Sequence, residues 1–163
     1  MSCLFYVFVS AVGVAPWLLV WHFWHEALTK GWAWSSVDSR NMYVDAVKTI
    51  ITASGIAVAL LASSGVTAQS RASQVVALSA RVAAICLVAC ICVSLVLILA
   101  LLRGHERAKA RYVEEQRKVG NTEAISEGKL STGELLFILV PAGIGLSCFL
   151  VGFVFLGRIA FHF

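Results

Sequence analysis

The order of apolar and polar positions divides this chain into four long hydrophobic runs separated by three more polar stretches. The runs span about 3–24, 49–66, 82–102 and 135–156. Each approaches the roughly 20 residues that an α-helix needs to cross 30 Å of hydrocarbon. The third, VAAICLVACICVSLVLILALL, contains no charge at all. The second is diluted by Thr, Ser and Gly and is the weakest. The pattern predicts an all-α integral membrane protein: a four-transmembrane-helix bundle in a single membrane domain, 1–163.

Between the runs lie a tryptophan-rich stretch (25–48), the short turn TAQSRASQ and a hydrophilic segment (103–132). The short turn forces an antiparallel hairpin. The segment RGHERAKARYVEEQRKV is rich in helix formers and lacks proline. Arg111 with Glu115, and Glu114 with Lys118, are spaced for i,i+4 pairing. The third helix is therefore expected to extend into the cytoplasm to about Val119 and to stop at Gly120-Asn121. Ile98, Leu101, His105, Ala108, Tyr112, Glu115 and Val119 follow a 3,4 spacing, a seam interrupted by polar residues. Ser131-Thr132-Gly133-Glu134 matches a capping box and sets the start of the fourth helix. Pro141, two turns further on, is expected to kink it.

Composition supports the membrane reading: 60% of the residues are hydrophobic and 13% are charged, about half the charged share of a soluble domain. The amino terminus lacks the positive n-region and small-residue cleavage site of a secretory signal, so the first helix is expected to be retained. Cys3, Cys86, Cys90, Cys92 and Cys148 all fall in apolar runs and read as reduced, small residues rather than disulfide partners.

Charge placement sets the orientation. Ten of the thirteen Lys and Arg residues lie in or beside the 25–48 and 103–132 segments, leaving Arg71, Arg81 and Arg158 for the other side. The positive-inside rule puts both segments in the cytoplasm and both termini outside, at the inner membrane if the cell is bacterial. A net charge of +4 distributed in this way gives no basis for nucleic-acid binding.

Candidate chemistry is sparse. In WHFWHE, His22, His25 and Glu26 share a helix face and form a candidate metal set for zinc, copper or iron, but a fourth ligand is missing locally. The competing reading is an interfacial edge. Trp17, Trp21, Trp24, Trp32 and Trp34 all fall within residues 17–34, and tryptophan prefers the headgroup layer. That reading is favoured, and no cofactor is expected. No ionisable residue sits at mid-membrane depth, which argues against a proton relay. No nucleophile–base set or phosphate-binding glycine motif is present, so no catalytic residues are assigned.

Small residues recur at helical spacing in three runs: Gly55, Ala59 and Ser63; Ala83, Cys86, Cys90 and Ser94; Gly145, Cys148 and Gly152. In lipid, helices associate where small side chains let backbones approach, so these positions are candidate helix contacts, within the chain or with another subunit. Arg107, Arg111, Tyr112, Arg117 and Lys118 form a candidate docking surface for a cytoplasmic protein. The leading expectation is a small membrane protein that acts by association, as a homo-oligomer or as an accessory subunit of a membrane complex. The alternatives are an oligomeric pore or membrane-perturbing effector gated through the cytoplasmic arm, with Thr52, Ser54, Ser63, Ser64 or backbone groups lining water, and a metal- or haem-binding redox subunit.

Overall fold

The computed structural model describes residues 2–30, 37–63, 74–119 and 131–160. These form four helices, α1 (Ser2–Lys30), α2 (Val37–Ser63), α3 (Gln74–Val119) and α4 (Thr132–Ala160), with no strand among the described residues. All four are long and apolar enough to cross a membrane, over Cys3–His25, Arg40–Ser63, Val76–Glu115 and Thr132–Ala160. Trp32, Trp34, the 120–130 stretch and most of TAQSRASQ lie outside the described residues.

All four helices begin before their apolar runs, most clearly α2, which starts at Val37 rather than near Thr49, and α1, α3 and α4 also end beyond theirs. Hydropathy marks the stretch that lipid would cover, whereas a helix continues as long as its backbone bonds close and its polar side chains find partners. On α2 they do. Lys48 Nζ lies 3.1 Å from Asp45 Oδ1, both side chains largely exposed. Thr49 and Thr52 donate to the carbonyls of Asp45 and Lys48, each at 2.9 Å. The 46-residue α3 runs to Val119 as its composition predicts. At 1.5 Å per residue it is about 69 Å long, more than twice a hydrocarbon core.

The contacts fix an alternating up-and-down order. On α4, Gly152 lies beside Leu87 of α3, Gly145 beside Val93 and Ser94, and Glu134 beside Arg111, so the two helices run antiparallel. Ser54 of α2 donates to the Cys90 sulfur of α3 at 3.7 Å. Ala57 and Leu61 cluster with Val76, Ala80 and Ala83, whereas Val47 clusters with Leu97, Ala100 and Leu101. On the other flank, the Phe5 and Phe155 rings meet edge to face with centroids 5.5 Å apart. The Ser147 hydroxyl donates to the Gly13 carbonyl at 2.8 Å. α3 and α4 thus form the central pair, with α2 against α3 and α1 against α4. Side chains of all four helices, among them Phe23, Tyr43, Leu97 and Ile138, line an apolar cavity of about 220 Å³.

This order gathers the His25 end of α1, the start of α2, the Arg103–Val119 extension of α3 and Glu134 at one end. At the opposite end Arg158 stacks over the Phe5 ring, 4.2 Å from its centroid. The outer surface is strongly apolar: Leu4 is 81% exposed, and Leu18 and Trp21 are each 69% exposed. Such continuous apolar surface is far larger than a water-soluble monomer presents.

Candidate functional site

The small residues of α3 and α4 meet one another. Ala83, Cys90 and Ser94 are buried and Cys86 is half-buried, all on the face of α3 that packs in the interior. Cys90 Sγ and Ser94 Oγ are 3.9 Å apart, which continues the polar contact from Ser54 along the α2–α3 seam. Gly145 and Gly152 are buried on α4 and Cys148 is half-buried. A Cβ on Gly152 would lie 2.9 Å from both Cγ and Cδ2 of Leu87, a side chain with no exposed surface. A Cβ on Gly145 would lie 3.6 Å from Val93 Cγ1, an ordinary contact. The sequence did not single out Gly143, which does the same work on the α1 flank: its Cβ would meet Val20 Cγ2 at 3.1 Å and Trp17 at 3.4 Å. The close approach of α1, α4 and α3 therefore rests on the absence of side chains at Gly143 and Gly152.

On α2 the small residues take a different position. Ala59 and Ser63 are exposed, and a Cβ at Gly55 would have nothing within 4 Å. These three residues are not part of the interior of the chain. The buried face of α2 lies on the opposite side of the cylinder and consists of Val47, Ser54, Ala57 and Leu61. Along the α2–α3 seam Leu61 clusters with Ala80 and Ala83, Ser54 meets Cys90, and Val47 clusters with Leu97 and Leu101.

The polar end is organised around one carboxylate. Glu134 Oε2 accepts from the Ser131 backbone N–H at 2.9 Å and from the Ser131 hydroxyl at 3.0 Å. The Ser131 hydroxyl in turn accepts from the Glu134 N–H at 3.4 Å, and the Leu135 N–H reaches the Ser131 carbonyl at 3.0 Å. This is the reciprocal capping box read from the sequence. The other oxygen, Glu134 Oε1, accepts from Arg111 Nη2 at 2.7 Å and lies 3.5 Å from Arg107 Nη1. Two candidate docking arginines are thus engaged within the chain, holding the α3 extension over the start of α4. Tyr112 is half-buried, Arg117 is exposed, and the Lys118 side chain lies outside those described. Of the 3,4-spaced seam, Leu101, His105 and Ala108 are buried, Ile98 and Tyr112 are half-buried, and Glu115 is exposed. The lower part of that seam packs inside this chain.

WHFWHE sits near the end of α1. His22 and His25 are exposed, and the Glu26 side chain is outside those described. Among the described residues no group of three His, Cys, Asp or Glu side chains is placed to hold a metal ion. Trp17 lies against Gly143, Trp21 faces outward and Trp24 is half-buried. All five cysteines carry free thiols. No family model, curated protein or solved structure matches the chain.

Proposed function

We propose that this chain is an integral membrane protein that crosses the bilayer four times as a helix bundle and acts by helix–helix association. Residues 25–48 and the arm over 103–132 face the cytoplasm, and both termini face outward. It functions as a homo-oligomer or as an accessory subunit of a membrane complex. The observation that carries this reading is the outward face of α2. The small residues of α3 and α4 are used within the chain, but Gly55, Ala59 and Ser63 form a small-xxx-small face with no partner helix among the described residues. In hydrocarbon a bare face of this kind gains from close packing against another helix more than from contact with mobile acyl chains.

Replacing Gly55 and Ala59 together with leucine is expected to weaken association at least tenfold, about 1.4 kcal/mol, while leaving the fold intact. Light scattering of the detergent-solubilised particle reads this as a shift from oligomer or complex to single chain. A wild-type particle that is already monomeric, with no co-purifying protein, contradicts the proposal.

The pore alternative rests on the hydroxyls of α2, yet their donors are used locally. Thr52 donates to Lys48 O, Ser63 to Leu60 O and Ser54 to Cys90. Association is therefore the better-supported reading, and reconstituted liposomes are expected to stay impermeant to small ions.

A further inference from the structure

We propose that the cleft between α3 and α4 on the polar end binds the phosphate headgroup of an anionic phospholipid. This rests on the membrane reading above and adds a ligand to it. The cleft has a volume of about 270 Å³ and is lined by Arg103, Arg107, Glu134 and Phe137, with Ala100 and Gly104 leaving its floor open.

Arg103 is the first charge after the uncharged run 82–102, so it stands where hydrocarbon gives way to headgroups. It is exposed, and among the described residues no hydrogen bond or ion pair engages it. Arg107 lies one turn further along the same face of α3. Its 3.5 Å approach to Glu134 is longer than the usual 2.7–2.9 Å charge-assisted bond, whereas Arg111 holds that carboxylate at 2.7 Å. Arg111 therefore takes up most of the carboxylate, and Arg103 and Arg107, which line the cleft, retain donors for another anion. Phe137, 61% exposed, offers an apolar wall at the same depth, suited to the glycerol and first acyl carbons. A basic opening over an apolar wall at the membrane boundary fits a lipid phosphodiester better than a free ion, which has nothing to place against the ring.

The test is a titration of the purified full chain in neutral detergent with short-chain phosphatidylglycerol, phosphatidylcholine or inorganic phosphate, read by thermal unfolding. Phosphatidylglycerol is expected to raise the midpoint saturably, and phosphatidylcholine to leave it unchanged. Arg103→Gln is expected to weaken the apparent affinity about fivefold, the contribution of one cationic side chain at an anionic surface, and Phe137→Ala to weaken it as well. Arg117→Gln, on the exposed arm away from the cleft, is expected to have no effect. Equal stabilisation by inorganic phosphate overturns the lipid assignment. An equal loss with Arg117→Gln, or no loss with Arg103→Gln, overturns the site. A chain that stays dispersed and folded without detergent instead overturns the membrane reading, a result distinct from either.

Discussion

Gly152→Leu is expected to be the most damaging single substitution in this chain. The added side chain would enter the α3–α4 contact where Leu87 already lies within 2.9 Å of the first carbon. Overpacking a filled core costs about 1–3 kcal/mol and more when backbones must separate. Leucine is expected at or above the top of that range, and Gly152→Ala near its lower end, because alanine recovers up to about 1 kcal/mol of helix propensity. The diagnostic result is the rank order of alanine substitutions. Gly152 is expected to lose most and Gly143 next, since its Cβ would sit 3.1 Å from Val20. Gly145, Gly55 and Gly157 are expected to be neutral or slightly stabilised, because a Cβ there meets an ordinary contact or open space. Thermal unfolding in micelles, followed by helical circular dichroism, gives this order directly. Leu87→Ala alone should open a cavity costing about 2–5 kcal/mol. Combined with Gly152→Ala it should cost less than the two separate losses together. Strict additivity would place Leu87 and Gly152 out of contact.

Glu134→Ala is expected to have the second-largest effect, about 1–2 kcal/mol, because one side chain serves two structures. It completes the capping box of α4, a role worth about 1 kcal/mol. It also pairs with Arg111, whose side chain is 42% exposed, so water screens that interaction to at most about 1 kcal/mol. Glu134→Gln separates the two parts. Glutamine keeps an acceptor for the Ser131 N–H and removes the charge, so it should lose only the ionic share. Added salt should weaken the wild-type chain towards the Glu134→Gln level and leave the variant nearly unmoved. Equal losses for Ala and Gln, with salt bringing the wild-type chain down to the level of both, would mean that the capping bonds contribute nothing.

The parts legible in the sequence were those set by local rules. Four apolar runs gave four helices. Helix formers without proline carried α3 through to Val119, and the Ser131–Glu134 spacing fixed the start of α4. Faces were harder to assign. On α2 two patterns compete: Gly55, Ala59 and Ser63 at steps of four, and Val47, Ser54, Ala57 and Leu61 at steps of three, four and seven. The second follows the seam that packs on α3, where Val47 clusters with Leu97 and Leu101 and Leu61 with Ala80 and Ala83. The small-residue rule alone could not choose between them because it describes any close contact, inside the chain or outside it. The pairing of Glu134 with Arg111 crosses 23 residues of sequence, and that with Arg107 crosses 27. No spacing rule reaches that far; it needs α3 and α4 already laid antiparallel. The start of α2 at Val37 was hidden for a different reason, since its first turns are polar and hydropathy does not register them.

The central claim is tested most directly by mapping which side of a membrane each end of the helices occupies. With the five native cysteines replaced, single cysteines are placed at Lys109 on the α3 extension, at Asn41 on the start of α2 and at Gln74 on the start of α3. A membrane-impermeant maleimide is then applied to intact cells and to inverted vesicles. The account predicts that positions 41 and 109 react only in inverted vesicles and that position 74 reacts only in intact cells. Labelling of position 109 in intact cells, or of positions 41 and 109 from opposite sides, would contradict it.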